Sequence, residues 1–328
     1  MKENHIGIIG AAGFLGTRLR DRLNRSAIKY SAFDINDSHA DISFIDVEDL
    51  KSLDSIKNCT HIINLAAMHR DDVRPISRYD EVNVMGAKNI CNAAKKYNIT
   101  NIIFTSSVAI YGFAPPNTDE GGEPNYFNDY GRTKYLAENE YIQWFNENPS
   151  EKSLTIIRPT VIFGEANRGN VYNLLRQIVS KRFFMFGDGK NIKSMAYVEN
   201  VAAFIEHLIT HNNDMKIYNY IDKPDMDMNT LVSITRKKLF GKNNVGIRLP
   251  KFIGVLIGYM ADLISNIVRK PLPVSSIRVK KFMSTTQFDL SIDETGFTAP
   301  VKLDDALKRT LEYEFIENNV EKKTFYTE

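Results

Sequence analysis

Short runs of apolar residues recur through the first half of the chain, separated by longer stretches of mixed polarity. Six of these runs are only four or five residues long, and most are rich in isoleucine. That pattern is typical of strands buried on both faces of a parallel sheet. The predicted strands are 6–9, 30–33, 42–45, 61–65, 102–105 and 154–157.

Stretches with helical periodicity fill the gaps between these strands. They are 14–25, 47–56, 79–97 and 129–146. Strand alternating with helix predicts βαβ units, in which helices cover both faces of a parallel sheet. The first half therefore predicts an α/β fold of the Rossmann type, with a doubly wound parallel sheet.

The pattern changes after residue 160, where predicted helices outnumber predicted strands. The helices are 171–180, 201–210, 229–240, 251–268 and 303–317, and the strands are 194–198 and 217–221. We expect a first domain at 1–160, to which segments near 190–222 return. Most of 161–328 then forms a smaller, helix-rich lobe.

The segment 249–268 is unusually apolar, and two interpretations of it stay open. Lys251, Asp262 and Asn266 interrupt it, which argues against a membrane span. It is either a buried helix of the smaller lobe or an amphipathic helix on a membrane surface. In the second case Arg269 and Lys270 flank it, and 249–270 forms a peripheral membrane contact.

Composition limits the functions to consider. Of 328 residues, 43% are hydrophobic and 25% charged, as in ordinary globular proteins. The net charge of +2 gives no broad basic field for nucleic acid. Cys59 and Cys91 make no disulfide framework, and neither they nor His207 and His211 complete a metal motif. The first ten residues resemble no signal peptide, so we expect a cytoplasmic protein without a metal.

A glycine-rich loop follows the first predicted strand and opens the first helix. Gly10 allows a tight turn, Gly13 lets a pyrophosphate approach the backbone, and Gly16 allows close helix–strand packing. Asp34 ends the second strand about 20 residues later, where it can bind the ribose hydroxyls of a dinucleotide. Because 35–37 contain no Arg or Lys for a 2′-phosphate, the sequence favours NAD over NADP.

Other residues at the predicted strand ends complete the expected NAD site, so that the first domain binds the cofactor and the lobe binds substrate. Asp46 and Val47 would flank the adenine, and small residues after the fourth strand would let the cofactor pass close to the backbone. The remaining expected cofactor contacts are Phe14, Leu15, Leu65, Ala66, Ala67, Ser106 and Pro159.

Three residues suggest proton transfer beside this cofactor. Tyr130 and Lys134 stand four apart on a predicted helix and therefore share one face. A free tyrosine is a poor base at neutral pH, but a nearby ammonium and a positive nicotinamide would favour its phenolate. Lys134 could also bind the nicotinamide ribose. Ser107, after the fifth strand, would orient the reacting substrate oxygen.

With these motifs the chain resembles the extended short-chain dehydrogenase/reductase family, in its NAD-dependent epimerase/dehydratase group. The similarity extends over nearly the whole chain and includes Asn83 and the stretch 187–189. It implies that Ser107, Tyr130 and Lys134 are catalytic and that Asn83 is a structural residue on the cofactor side. It also implies a homodimer formed through a helix pair that includes the Tyr130 helix.

The departures from the family pattern narrow the reaction. The 4,6-dehydratases carry an Asp-Glu pair after the catalytic hydroxyl, where this chain has Val108 and Ala109. A sugar 4-epimerase and an NAD(P)H-dependent 4-keto reductase of a nucleotide sugar remain, together with a non-catalytic NAD-binding regulator. The NAD signal at Asp34 favours the epimerase over the reductase, and the intact Ser107, Tyr130 and Lys134 argue against the regulator.

The finer resemblance is to bacterial 4-epimerases that act on N-acetylglucosamine diphosphate linked to a polyprenyl carrier in O-antigen synthesis. Four stretches carry it: 69–73, 157–165, 193–198 and 275–282. Val161 and Lys193 differ from common epimerases at positions that meet the diphosphate and nucleotide, so the carrier, UDP or polyprenyl, stays open. The expected substrate-binding residues are His69, Ser107, Arg168, Lys193 and Arg278. Such a substrate would bring the enzyme to the inner face of the membrane.

Overall fold

Seven parallel strands form one central sheet in the computed structural model, which describes residues 5–37, 39–70, 73–210, 214–268, 276–319 and 323–327. Strands of the described residues, numbered along the chain, are β1 (Ile6–Ile9), β2 (Tyr30–Asp34), β3 (Ile42–Phe44), β4 (His61–Asn64), β5 (Asn101–Thr105), β6 (Ser153–Pro159), β7 (Val161–Phe163), β8 (Met185–Phe186), β9 (Ile192–Lys193), β10 (Met195–Tyr197), β11 (Met215–Tyr220), β12 (Met226–Asp227) and β13 (Arg248–Leu249).

The strand order in the central sheet is β3-β2-β1-β4-β5-β6-β11, and all pairs are parallel. The direction of strand progression therefore reverses between β1 and β4. Ligands of such sheets bind at the carboxyl ends of the strands beside this reversal. The predicted Rossmann-type fold class is confirmed, and the candidate site should lie at this edge.

Helices cover both faces of the sheet and build the smaller lobe. The α-helices are α1 (Phe14–Arg25), α2 (Ser77–Tyr79), α3 (Gly86–Tyr97), α4 (Asp129–Asn146), α5 (Asn170–Val179), α6 (Val198–Ile209), α7 (Met228–Phe240), α8 (Lys251–Val268), α9 (Ser276–Met283) and α10 (Leu303–Phe315). Short 3₁₀ helices lie at Ser52–Ile56, Val108–Tyr111 and Ile292–Thr295, and a π-helical segment at Asp80–Met85 leads into α3.

The helix predicted at 47–56 is wrong over its first half. Only the 3₁₀ helix Ser52–Ile56 forms there. The Asp46 carboxylate accepts a hydrogen bond from the Glu48 amide at 2.9 Å, and Asp49 does the same for Lys51. These local bonds offer the backbone an alternative to helical hydrogen bonds.

The two halves of the chain share one hydrophobic cluster. Ile8 of the first half, Phe204 of α6 and Leu307 of α10 are all completely buried in it. Strand β11 extends the central sheet beside β6, whereas β7 to β10, β12 and β13 form separate two-stranded pairs. The boundary at residue 160 stays a prediction, because this core extends across it.

Helix α8 contradicts one of the two interpretations of the apolar segment. Nine of its large hydrophobic side chains are exposed, so it is not a buried helix of the lobe. Within the described part of the chain, no helix combines the length and hydropathy needed to cross a membrane.

Candidate active site

The glycine-rich loop leaves no room for side chains at two of its three glycines. Gly10 has a φ of +86°, and a Cβ atom there would lie 2.7 Å from the Ala66 nitrogen. A Cβ on Gly16 would lie 2.2 Å from the Gly10 carbonyl oxygen. The loop therefore closes tightly over the β4 end and starts α1 directly, which turns backbone amides of the helix N-terminus toward the sheet edge.

Asp34 fixes this loop to β2. Its carboxylate accepts hydrogen bonds from the Ala12 amide at 2.8 Å and from the Asn36 amide at 2.9 Å. Each carboxylate oxygen keeps a further lone pair for a ribose hydroxyl. The carboxylate thus holds the loop, and its predicted contact with the adenine ribose stays a prediction.

A buried hydroxyl at the end of β5 has no hydrogen-bond partner among the residues that the structure describes. Ser106, which follows β5, is 2% exposed, and its Oγ has no hydrogen-bond partner among the described residues; the same holds for Thr105 Oγ1. An unsatisfied buried hydroxyl costs free energy unless a ligand supplies a polar group. The glycine loop, Asp34 and this hydroxyl together fit a bound dinucleotide.

The other expected cofactor residues follow strands along the same edge. Asp46 and Val47 come after β3, Leu65 to Ala67 after β4, and Pro159 ends β6. Phe14 and Leu15 begin α1, and a Cβ on Gly164 would lie 3.3 Å from the Phe14 ring. Direct cofactor contacts for these residues stay predictions.

Helix α4 brings the proposed catalytic tyrosine to the β5 end. The Asn128 side chain caps the helix by accepting a hydrogen bond from the Gly131 amide at 2.9 Å. A Cβ on Gly131 would lie 2.4 Å from the Ala109 carbonyl oxygen, so only glycine permits this approach. The close packing brings the Tyr130 side chain to the turn that follows β5, where Ser107 acts to lower the Tyr130 pKa.

Burial dominates the electrostatics of the Tyr130–Lys134 pair. It raises the pKa of Tyr130, and the effect of Ser107 only partly opposes this increase. Burial also lowers the pKa of Lys134 to about 7, while the nearby Glu138 charge raises it. The lowered pKa expected for Tyr130 is therefore not produced by the protein groups alone.

The Lys134 side chain is held within the protein. It is 2% exposed, and its Nζ donates to the Thr105 carbonyl oxygen at 2.5 Å and lies 4.4 Å from the centre of the Phe104 ring. These contacts fix the amine at the end of β5, one helical turn from Tyr130.

The Asn83 side chain connects the loop that follows β4 to helix α4. Its amide oxygen accepts from the Met68 amide at 2.8 Å, and its nitrogen donates to the Met68 carbonyl and to Thr133 Oγ1, each at 2.9 Å. Thr133 directly precedes Lys134. The structure therefore gives Asn83 a positioning role, and its expected contact with the cofactor stays a prediction.

A buried ion pair close to Lys134 was not predicted from the sequence. Glu138 lies one turn after Lys134, is 1% exposed, and accepts from two nitrogens of Arg158 at 3.0 and 2.6 Å. Arg158 also donates to the Tyr111 hydroxyl at 2.6 Å. The i, i+4 spacing of 130, 134 and 138 was the available signal, but the partner on β6 was not visible in it.

The residues expected to bind substrate have different surroundings in the structure. His69 lies near Lys134, and desolvation, together with the Lys134 and Arg70 charges, lowers its pKa. Lys193 Nζ donates to the Ser284 carbonyl at 2.6 Å. Arg168 pairs with the buried Glu314 and stacks on Tyr172 at 4.2 Å, so it already neutralises a buried carboxylate.

Arg278 belongs to α9, but its side chain lies outside the described residues. The diphosphate contacts of Arg168, Lys193 and Arg278 stay predictions. Within the described ranges no group of three His, Cys, Asp or Glu side chains could hold a metal ion. His207 bonds the Thr295 carbonyl at 2.9 Å, and His211 lies outside the described residues.

The C-terminal segment 323–327 packs beside the glycine loop, a contact that no sequence motif indicated. The Phe325 ring lies 5.6 Å from that of Phe14, and its amide donates to the Ala166 carbonyl at 2.8 Å. Lys323 Nζ donates to the Ala12 carbonyl at 3.2 Å. This segment therefore supports the loop from outside the first domain.

The model of the NAD dependent epimerase/dehydratase family matches residues 6–220, more than half of the chain. The chain belongs to this family. The predicted family and the predicted NAD cofactor are confirmed. The contacts of the loop, Asp34 and Ser106 with NAD stay predictions.

Known proteins of this family match nearly the whole chain. The N-acetyl-alpha-D-glucosaminyl-diphospho-ditrans,octacis-undecaprenol 4-epimerase of Escherichia coli O157:H7 is 46% identical over 332 residues, covering 99% of this chain and 100% of the relative. The UDP-glucose 4-epimerase of Vibrio cholerae is 25% identical over 342 residues, covering 95% and 96%. The structure of MoeE5 in complex with UDP-glucuronic acid and NAD has a TM-score of 0.73 at 21% identity, covers 94% of this chain and 98% of that one, and shares the fold.

Proposed function

We propose that the protein is an NAD-dependent 4-epimerase of an N-acetylhexosamine linked by diphosphate to a polyprenyl carrier, in surface polysaccharide biosynthesis. The observation that carries the proposal is the 46% identity with the undecaprenol-linked epimerase over 99% of the chain. Ser107, Tyr130 and Lys134 stand together at the sheet edge, which supports catalysis rather than mere NAD binding.

Each catalytic side chain has a defined task in this reaction. Tyr130 removes the proton from the C4 hydroxyl and later returns one, while Ser107 holds the C4 oxygen. The Lys134 ammonium stabilises the phenolate form of Tyr130. When bound, NAD supplies the acceptor and donor for the hydride of C4. For inversion at C4, the site would have to let the sugar rotate, so that its opposite face meets the bound cofactor.

The test is turnover without added reduced cofactor. Purified protein is incubated with the polyprenyl-diphosphate-linked N-acetylglucosamine, and separately with UDP-N-acetylglucosamine, and the C4 epimer is separated by chromatography. We expect the epimer from the polyprenyl-linked substrate with no NADH present. Strict dependence on NADH would instead identify the 4-keto reductase, and bound NAD without turnover of either substrate would identify the regulator.

Substituting Tyr130 by Phe tests the assignment of the base. Removal of a general base typically costs about 10²–10⁴-fold in rate, and we expect kcat to fall within that range. Tyr135→Phe is the matched control, because it removes a hydroxyl from the same helix one residue after Lys134 and should leave kcat within about 2-fold. Equal rates in the Tyr130→Phe variant and the native protein would remove Tyr130 from the mechanism.

We also propose that the enzyme works in the cytoplasm at the inner face of the membrane and forms a homodimer. The polyprenyl-linked substrate supports the location, and the family resemblance supports a dimer through a helix pair that includes α4. Light scattering after gel filtration would show the dimer mass, whereas a monomer at assay concentration would refute it.

A further inference from the structure

Helix α8 turns most of its large apolar side chains to solvent and most of its small or polar ones to the protein. Gly254 and Gly258 are buried, and Ala261, Asp262 and Ser265 are partly buried. The exposed large side chains are Phe252, Leu256, Ile257, Tyr259, Met260, Leu263, Ile264, Ile267 and Val268. This is the reverse of an ordinary surface helix, whose apolar stripe faces the core.

The exposed side chains form one continuous face. At 3.6 residues per turn, the nine positions cover about half of the helix circumference. Leu263 is 61% exposed and Ile267 is 73% exposed. A contiguous apolar face of this kind on a protein surface marks an interaction site.

The inward side of α8 is fixed by specific contacts. A Cβ on Gly254 would lie 2.9 Å from the Phe186 ring, so the glycine allows close approach to β8. The Asp262 carboxylate accepts the Ser276 amide at 3.2 Å, which ties α8 to the start of α9. The outward direction of the apolar face therefore follows from how the helix is attached.

One basic side chain lies directly at the apolar face. Lys280 of α9 is exposed, lies 5.3 Å from the Tyr259 ring and donates to its hydroxyl at 3.1 Å. Arg248 and Lys251, at the N-terminal end of α8, are also exposed, but the Lys251 stem lies against Gly187 and Arg248 donates to the Asp188 carbonyl. Cations next to an apolar helix face suit anionic lipid headgroups above an acyl layer, rather than the surface of another protein.

We propose that α8 docks this protein on an anionic phospholipid membrane, with the helix in the plane of the surface and its apolar face in the acyl region. The proposal rests on the proposed function, which places the lipid carrier of the substrate in the same membrane. It also accounts for a helix that is too polar to span a membrane yet exposes nine large apolar side chains.

One short segment joins this surface to the catalytic centre. The residues after α9 run along β9, where Lys193 Nζ donates to the Ser284 carbonyl. The Phe288 ring then packs 5.8 Å from Tyr111, which ends the 3₁₀ turn that Ser107 caps. Docking through α8 thus anchors the side of the lobe that is linked to the Ser107 turn.

Flotation with substrate-free vesicles tests docking independently of catalysis. We expect the native protein to float with vesicles of phosphatidylethanolamine and phosphatidylglycerol, and less with phosphatidylcholine alone. Because each buried leucine contributes several CH₂ groups, Leu256→Ser/Leu263→Ser should lower the bound fraction at least ~10-fold. The matched control is Leu50→Ser/Ile316→Ser, at 50% and 55% exposed positions outside α8, and it should float normally.

Three further measurements make the flotation results interpretable: the fold of the variants, their turnover of substrate, and their oligomeric state. Circular dichroism checks that the variants are folded, and detergent-solubilised substrate should be turned over by the α8 variant at the native rate. Native-like flotation of the folded α8 variant would overturn the proposal. So would a native protein that never floats but whose α8 variant changes from dimer to monomer, since α8 would then contact a second copy. Flotation without any epimerisation by the native protein would refute the proposed function while leaving the docking surface intact.

Discussion

The amine of Lys134 is buried, and its pKa lies close to neutral pH. Burial lowers the pKa of Lys134 to about 7, whereas the pKa of a lysine in an unfolded chain is 10.5. Between these values the unfolded chain binds one more proton than the folded chain, so stability rises with pH across that range. Below about pH 7 the cost of burying the ammonium is fully present.

Replacing Lys134 by Met should therefore stabilise the cofactor-free protein while abolishing activity. We expect the free energy of unfolding to rise by about 1–3 kcal/mol at pH 6.5, with the gain shrinking toward pH 10. The hydrogen bond to Thr105 is lost in the variant and offsets part of the gain. Thermal unfolding followed by circular dichroism at several pH values measures the difference.

The control for this prediction is Lys88→Met, which removes an exposed lysine of α3. Its effect on the melting temperature should not depend on pH. A Lys134→Met variant that is less stable than the native protein at pH 6.5, and equally stable at pH 10, would show that the folded protein instead favours the ammonium.

At the scale of elements, the contact between α4 and the 3₁₀ turn Val108–Tyr111 decides whether Tyr130 meets Ser107. Gly131→Ala adds a methyl group 2.4 Å from the Ala109 carbonyl oxygen and 3.0 Å from Tyr126 Cβ. Alanine favours helix by up to ~1 kcal/mol, but this clash must push the first turn of α4 away. We expect kcat to fall at least ~10-fold, since small displacements of catalytic groups are costly.

Gly121→Ala is the control for that variant, because its added Cβ would meet only the Asp119 carboxylate, at 3.3 Å. Steady-state kinetics with the polyprenyl-linked substrate compares the two. Unchanged kcat in Gly131→Ala would mean that the 3₁₀ turn moves away while Tyr130 keeps its position. Activity would then not depend on the close packing of α4 against this turn.

The elements that could be predicted are those encoded by local pattern. Strands β1 to β6 were predicted to within a few residues because buried parallel strands require unbroken apolar runs, and the Tyr130–Lys134 face follows from helical spacing alone. The orientation of α8 could not be predicted, since periodicity shows an apolar face but not what packs on the opposite side. The Glu138–Arg158 pair was equally hidden, because its partners are joined only by the folded sheet.

At the scale of the whole molecule, the central sheet of the first domain is incomplete without a strand from the second half of the chain. Strand β11 pairs with β6 along its whole length, and Asn219 of β11 accepts a hydrogen bond from Tyr111 at 2.9 Å. Tyr111 in turn contacts Arg158, which neutralises the buried Glu138. A fragment of residues 1–160 would expose the β6 edge and loosen this network, so we expect it not to fold.

Because the two halves share this sheet and one hydrophobic cluster, the intact chain should unfold in a single cooperative transition. The chain has a single tryptophan, Trp144, which is 1% exposed on α4 and reports on the first half alone. Far-ultraviolet circular dichroism reports on the helices of both halves. We expect the guanidinium transitions of the two signals to coincide. A second dichroism transition without a change in tryptophan fluorescence would show that the lobe unfolds by itself, and the shared core would then not couple the halves.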